Sequence, residues 1–186
     1  MQIHHVLKRF VLEYGKGEEC MAEYIDIYND QKELTGEKLE RKTKLKEGQY
    51  MLYVLALIEN KGKYLITRRT LDKKWAAGQW EIPGGGVSAG ETSMQALHRE
   101  VFEETGLDIS LSQKELIYSY KNIDLKRGDN YFVDMYLIHA KFDIEDVHIQ
   151  EDEVLEWKMA SLEEIGELEK SDGFLHYALI MQALHQ

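Results

Sequence analysis

The stretch REVFEETG, from Arg99 to Gly106, concentrates acidic side chains on one side of a predicted helix. Glu100, Glu103 and Glu104 are spaced i, i+3 and i+4, so on a helix their carboxylates share one arc of the surface. Like charges at this spacing repel each other by roughly a few tenths of a kcal/mol per pair. A hard divalent cation such as Mg²⁺ or Mn²⁺ would remove that repulsion, because it takes oxygen ligands. Together with the glycine-rich loop that precedes the helix, the three acids predict a metal site.

A glycine-rich loop precedes this helix. The segment GQWEIPGGGVSAGE contains Pro83, the only proline of the chain, followed by Gly84, Gly85 and Gly86. Glycines let the backbone approach a ligand closely and present carbonyl or N–H groups to it. A second acidic cluster, in SLEEIGELEK (residues 161–170), has neither such a loop nor an arginine. We interpret that second cluster as an ordinary solvated surface.

The helix that carries the acids has predicted ends. Thr92 followed three residues later by Gln95 is a capping box, and Gly106 stands where a left-handed C-terminal cap is favoured. Helical spacing predicts a core-facing stripe of Met94, Leu97 and Val101.

The rest of the chain reads as strands followed by helices. The segment 23–28 alternates in polarity, a turn is expected at 29–30, and a hairpin is expected around Thr35–Gly36. The long apolar run 49–59 predicts a central strand. Further strands are predicted in YLITRR (64–69), KELIYSYKN, DNYFVDMYLIHAKF and EVLEWKM (153–159), and helices at 161–168 and 172–184. This order indicates a mixed α/β (α+β) fold.

The residues from Gly85 to Leu107 match a known motif at every specified position. Glu91 follows Gly85 after five residues, and Arg99-Glu100-Val101-x-Glu103-Glu104-x-Gly106-Leu107 follows after seven more. This is the pattern GX5EX7REUXEEXGU, with U apolar, and the chain therefore resembles the Nudix hydrolase family. The resemblance implies an α/β/α sandwich with a mixed central sheet, the motif forming a loop–helix–loop. It also implies hydrolysis of a nucleoside diphosphate linked to another group. It covers residues 21–186 as one domain and leaves residues 1–20 as an N-terminal helical extension.

The resemblance also implies roles for the motif residues. Glu103 and Glu104 would be ligands of Mg²⁺ or Mn²⁺, and Glu100 would be either a third ligand or the base that activates water. The carbonyl of Gly85, or of Gly84 beside it, would complete the metal site. Arg99 would hold the acids in place by charge-assisted pairing. Glu91 would close the loop from the helix N-terminal side, and its alternatives are a stabilising acid near the positive helix end or a direct contact with the metal.

Residues outside the motif are candidates for the substrate. Arg68 and Arg69 lie on the strand that leads to the glycine loop, but alternation along a strand points one of them away from the site. In several Nudix subfamilies an acid of a late loop is the base, and here HIQEDEVLEW supplies Glu151, Asp152 and Glu153. Core packing is favoured for most of four aromatic residues that could instead stack on a base: Trp75, Trp80, Tyr131 and Phe132.

Two other functions share this fold. The segments EYIDIYNDQKELTG and LITRRTLDKKWAAGQW are similar to Nudix proteins close to isopentenyl-diphosphate isomerase. That isomerase places a reactive cysteine after its tryptophan, whereas here GQWEIPGGG follows and the only cysteine, Cys20, lies outside the domain pattern. A non-catalytic nucleotide sensor is the other alternative, although such regulators commonly lose the acids that this chain retains. Among hydrolase substrates, nucleoside diphosphates, ADP-ribose, nucleotide sugars and oxidised nucleoside triphosphates remain open.

Composition excludes other classes of protein. The formal net charge of −11 argues against sequence-independent nucleic-acid binding, which needs a basic surface. No apolar run is long enough to span a membrane, and a single cysteine fits a reducing compartment. We therefore expect a cytoplasmic protein with a small-molecule nucleotide or other diphosphate substrate and no nucleic-acid or membrane partner. The apolar face of the predicted N-terminal helix suggests a docking element, and we predict a homodimer.

Overall fold

The protein is described by a computed structural model that covers residues 22–185. The predicted helix within residues 1–20 and the position of Cys20 lie outside the described residues. Within residues 22–185, no helix has the length and apolar character needed to cross a bilayer.

The chain begins with a two-stranded antiparallel hairpin of β1 (Tyr24–Tyr28) and β2 (Leu34–Glu40). Its turn is stabilised by the side-chain oxygen of Asn29, which accepts hydrogen bonds from the backbone N–H groups of Gln31 and Glu33 at 2.9 and 3.0 Å. The hairpin expected around Thr35–Gly36 is therefore wrong. Gly36 lies inside β2 with φ +83°, and the strand register shifts opposite it. Gly36 thus lies at a register shift within β2 and not in a second turn.

The main sheet has seven strands. They are β3 (Met51–Asn60), β4 (Lys63–Arg69), β5 (Trp80–Glu81), β6 (Gly84–Gly86), β7 (Gln113–Asn122), β8 (Tyr131–His139) and β9 (Val154–Ala160). The order is β5-β4-β3-β8-β7, with β6 also pairing with β3 and β9 with β4. Only the β3–β8 pair is parallel among these described strands, so the sheet is mixed as expected.

The apolar run that predicted a central strand does form the middle of the sheet. β3 pairs with β8 from Met51 to Glu59, and seven of its ten residues are buried. It meets β4 directly only at residues 59–60, because β6 occupies the same edge of β3 at residues 53–55. β4 therefore separates from β3 and pairs along β9. This separation opens the end of the sheet at which the glycine strand lies.

Three helices cover the sheet: α1 (Ser93–Thr105) on one face, and α2 (Leu162–Ser171) and α3 (Tyr177–Leu184) on the other. The core between α1 and the sheet includes Leu52, Val54 and Leu97, and the opposite core includes Leu57, Ile165 and Ile180. The predicted α/β/α sandwich is confirmed. The last helix begins later than expected, because the preceding residues bridge to β5, where the Leu175 N–H donates to the Trp80 carbonyl at 2.8 Å.

Candidate active site

Helix α1 has the predicted ends. The Thr92 hydroxyl accepts from the Gln95 N–H at 3.3 Å, and the Gln95 side chain accepts from the Thr92 N–H at 2.8 Å. At the other end Gly106 adopts φ +72°, and its N–H donates to the Phe102 carbonyl at 2.8 Å. These local bonds fix where the helix starts and stops, and hence which side chains stand over the glycine strand.

The buried side of α1 differs from the prediction at its first turn. Met94 is 37% exposed, because Ser93 takes the inward position there, and its hydroxyl hydrogen-bonds to Asp134 and Tyr136 at 2.9 Å each. The assignment of Met94 to the core is wrong. The buried side chains of the helix are Ala96, Leu97, Val101 and Thr105.

Arg99 connects the acids to the glycine strand. Its Nε and Nη2 each donate at 2.8 Å to Glu91, and its Nη1 donates to Glu100 at 2.8 Å and to Glu103 at 3.2 Å. Nη2 also donates to the Gly86 carbonyl at 3.1 Å. Hydrogen bonding to Arg99 lowers the pKa of Glu91, so this carboxyl remains ionised as a fixed partner. Charge-assisted, bidentate bonds of this kind set both distance and orientation.

Glu100 and Glu104 face the glycine strand. A side chain at Gly85 would collide with the carboxyl of Glu100, so only glycine permits this approach. Glu104 Oε2 accepts from the Gly84 N–H at 3.3 Å. Burial raises the pKa of Glu100, and burial together with the neighbouring Glu81 and Glu100 raises the pKa of Glu104 well above its usual value. Burial is the main cause of both shifts, and neighbouring carboxylates add to them: Glu103 at Glu100, and Glu81 and Glu100 at Glu104.

Glu81 on β5 is a further acid at this point, and it is paired with Arg69. The two side chains are 2.9 Å apart, with Arg69 Nη1 donating to Glu81 Oε1. Burial raises the pKa of Glu81, and the charge of Arg69 partly offsets this. The acid thus extends the cluster of α1 carboxylates towards β4.

These residues fit a hard divalent cation by their chemistry. Several carboxylates and a glycine backbone converge on one end of the sheet, where burial disfavours the charged form of Glu100 and Glu104, and a bound cation would stabilise that form. Within residues 22–185, no three acid, histidine or cysteine side chains stand in the arrangement of a bound ion. Binding would therefore require side-chain rotation, foremost of Glu100 and Glu103, which Arg99 engages.

A family model described as the NUDIX domain matches residues 49–182, which include the glycine strand and all of α1. The chain belongs to the Nudix family. It is 34% identical over 159 residues to an uncharacterized Nudix hydrolase of Listeria monocytogenes, covering 84% of this chain and 90% of the relative. As a Nudix hydrolase it acts on diphosphate, or acid-anhydride, bonds.

Two more distant matches were also found. The nucleoside triphosphatase NudI of Escherichia coli K12 is 36% identical over 91 residues, which is 48% of this chain and 64% of that protein. The crystal structure of a Deinococcus radiodurans protein matches 87% of this chain and 99% of its own with a TM-score of 0.69. At 18% identity this second match shows the fold alone.

The two arginines before the Nudix motif point to opposite faces of the sheet. Arg69 lies on the face of the Nudix helix α1, where it pairs with Glu81. Arg68 lies on the other face, where it donates to the Glu156 carboxylate at 2.7 Å and to the Gly78 carbonyl at 2.8 Å. The structure therefore brings Arg69 to the acids and does not bring Arg68 there.

The late-loop acids are also separated by the structure. Glu153 pairs with Lys73 and lies near enough to the Nudix acids to raise the pKa of Glu81 and Glu104. Glu151 is an exposed residue of the turn before β9. All three acids named from the sequence, Glu151, Asp152 and Glu153, are exposed, and Glu153 is the one whose charge reaches the active-site acids.

Of the four aromatic residues named from the sequence, Trp80 and Phe132 belong to the core at 5% and 6% exposure. Tyr131 is half-buried, and Trp75 is 57% exposed beside Arg69. Core packing thus holds for two of the four.

Sequence reasoning missed two cations and one acid near the site. Arg41, at the end of the hairpin, donates to the Gly86 carbonyl at 3.0 Å. Lys73 forms an ion pair with Glu153, and Glu81 forms an ion pair with Arg69. Glu81 could have been found, because it directly precedes the glycine loop. Arg41 lies far from the motif along the chain and Lys73 lies in the loop before it, and no spacing rule links either of them to the acids.

Proposed function

We propose that this chain is a divalent-metal-dependent pyrophosphohydrolase that cleaves the diphosphate linkage of a nucleoside diphosphate or nucleoside diphosphate derivative by attack of water at phosphorus. The crowding of Glu100 and Glu104 against the glycine strand carries the proposal. A protein gains nothing for its stability from placing ionisable acids together where burial raises their pKa. A cation that bridges these carboxylates to a diphosphate would explain why they lie together.

In this proposal Glu103, Glu104 and the Gly85 carbonyl hold Mg²⁺ or Mn²⁺, with Glu100 as a third ligand or as the base. A bound cation of this type lowers the pKa of water and screens the charge of the diphosphate. The protein itself positions the proton acceptor. Glu100 is suited to this role because burial raises its pKa towards the range of an effective general base. If Glu100 is a ligand instead, Glu153 is the acid on the correct side to accept the proton.

The leaving phosphate and the retained phosphate both carry charge that cations must offset. Arg69 pairs with Glu81, Lys73 with Glu153, and Arg41 donates to the Gly86 carbonyl, so three cationic side chains contact residues at or beside the acidic cluster. Arg69 and Arg41 can present planar, multiply donating guanidinium groups to phosphate oxygens. We therefore assign phosphate contact to Arg69 and not to Arg68.

Replacing Arg69 and Arg68 separately tests this assignment. We expect Arg69→Gln to lower kcat/KM for a diphosphate substrate by about tenfold to a hundredfold, since charge-assisted bonds to phosphate are worth about 1.5–3 kcal/mol. Arg68→Gln is the matched control, because it is the adjacent arginine with an ion pair of its own on the other face. Equal losses in both variants would contradict the assignment.

The activity itself is tested with a panel of nucleoside diphosphates, ADP-ribose, nucleotide sugars and nucleoside triphosphates. Release of phosphate or nucleoside monophosphate is measured with Mg²⁺, with Mn²⁺ and with chelator, and Glu103→Gln serves as the blank. We expect cleavage that needs metal and falls by at least about tenfold in the variant. Nucleotide binding without cleavage would instead favour the sensor, and turnover of isopentenyl diphosphate the isomerase. The homodimer and the cytoplasmic location stay predictions.

A further inference from the structure

The glycine strand β6 faces two sides of the sheet. The missing side chain of Gly85 would point at the carboxyl of Glu100, on the side of the Nudix helix. The missing side chain of Gly86 would point to the other side, where the Arg41 guanidinium lies 3.0 Å from the position of a Cβ. The Gly86 carbonyl accepts from both Arg41 and Arg99, at 3.0 and 3.1 Å. Gly86 thus contacts Arg99 on the side of the Nudix helix and Arg41 on the opposite face of the sheet.

A row of aromatic rings begins at this point on the opposite face. Tyr53 is the direct cross-strand partner of Gly86. Its ring lies edge-on to that of Tyr131, with centroids 5.3 Å apart, and Tyr131 is followed by Tyr120 at 6.5 Å and Tyr118 at 6.0 Å beyond it. These four residues, the tyrosine platform, cross the neighbouring strands β3, β8 and β7, and all four are half-buried. They form a continuous aromatic row, packed in part against the core on the side of α2 and α3, and the row starts beside the glycine strand.

Polar groups border the platform. The Tyr120 hydroxyl lies 3.4 Å from Nδ1 of His176. Burial raises the pKa of Tyr53 and Tyr131, and the charge of the exposed Asp129 nearby adds to both shifts, while Arg41 acts in the opposite sense on Tyr53. Hydroxyl, imidazole and carboxylate groups around aromatic faces match a flat heterocycle with donors and acceptors on its edge. An isoprenoid or alkyl chain would need only apolar contacts.

We propose that the tyrosine platform binds the nucleobase of the substrate, with Arg41 spanning the step from the base side to the diphosphate. This rests on the proposed hydrolase function and adds where the organic part of the substrate lies. Two features favour a base over a second protein surface as the occupant. The platform is continuous with the catalytic strand through Gly86, and aromatic side chains bind bases of any sequence by stacking.

Two analogues that share a non-hydrolysable diphosphate test the platform: α,β-methylene-ADP and methylenediphosphonate, which lacks the nucleoside. Their affinities for the whole chain are compared by calorimetry. We expect the nucleotide to bind about tenfold to a hundredfold more tightly, the range that stacking on aromatic residues supplies. Tyr131→Leu and Tyr120→Leu keep the side-chain bulk but remove the aromatic ring, and each should reduce this preference to about threefold or less.

Tyr64→Leu is the matched control, since Tyr64 is a half-buried tyrosine packed against the same core but located on β4 at the far end of the sheet. Tyr64→Leu should prefer the nucleotide over methylenediphosphonate by the same factor as the wild type. Unaltered binding of methylenediphosphonate by the platform variants shows that they are folded.

The outcomes separate this inference from the proposed function. If the wild-type chain cleaves its substrate but binds both analogues equally, or the platform variants keep the preference, the inference is wrong and the hydrolase stands. A change of mass in light scattering with the preference intact would make the platform a contact between copies and would also overturn it. If neither analogue binds and no panel compound is cleaved, the proposed function fails and this inference with it.

Discussion

Glu104→Gln is expected to lower hydrolysis by about a thousandfold or more while leaving the metal-free fold at least as stable as the wild type. The carboxyl faces the Gly84 N–H, and burial and two neighbouring acids raise its pKa. In the proposed mechanism it is a metal ligand, and losing several kcal/mol of charge stabilisation gives a rate loss of this size. The amide keeps the shape of the side chain but removes a crowded charge, so activity and stability should change in opposite directions.

The raised pKa of Glu104 determines how the stability of the wild type should change with pH. A carboxyl whose pKa is raised in the folded state holds its proton more tightly there than in the unfolded chain, so its contribution to stability is full below the ordinary glutamate pKa. That contribution is lost as the pH rises through the raised pKa. In chelator, the melting temperature of the wild type should therefore fall more between pH 5 and pH 8 than that of Glu104→Gln. Glu164→Gln is the control, because that acid is exposed on α2 and its pKa is lowered instead. Hydrolysis that survives in Glu104→Gln, or identical pH curves, would contradict the prediction.

The sequence predicts most firmly those parts of the site that depend on neighbours along the chain. The capping box at Thr92, the left-handed Gly106 and the shared arc of the acids all follow from spacings of three or four residues, and all are present. The alternation rule also states correctly that only one of Arg68 and Arg69 can face the acids. It does not say which, because that depends on the sheet face to which the helix packs.

Contacts between segments that are distant along the chain could not be predicted, because no local spacing encodes them. The parallel pairing of β3 with β8, and the arrival of Arg41 at Gly86 from the N-terminal hairpin, depend on how whole elements pack. Even local patterns failed where a distant partner decided the outcome. Ser93 replaced Met94 on the inner side of α1 because its hydroxyl finds Asp134 on β8.

Arg99→Lys is the second variant with a large expected effect, and it should reduce both stability and activity. The guanidinium makes bonds to three glutamates and one carbonyl at once, from 2.8 to 3.2 Å, and an ammonium group cannot reproduce this fork. Breaking a buried charged pair costs about 3–5 kcal/mol, and the partial exposure of this one favours the lower figure. A loss of about 3 kcal/mol would lower the melting temperature by about 6–12 °C in a chain of this size. Arg127→Lys, an exposed arginine paired only with Asp124, is the control and should stay within about 0.5 kcal/mol of the wild type.

The kinetic signature distinguishes a positioning role of Arg99 from a purely structural one. Because Arg99 holds Glu100 and Glu103 on one side of the glycine strand, its loss should leave these acids free to repel each other and spread apart. The variant should then need a higher Mg²⁺ concentration for half-maximal hydrolysis, by about tenfold to a hundredfold, as when groups that orient metal ligands are removed. Saturating Mg²⁺ should restore part of kcat. If the melting temperature falls but the Mg²⁺ dependence is unchanged, Arg99 supports the fold alone, and the acids are positioned by the glycine strand without it.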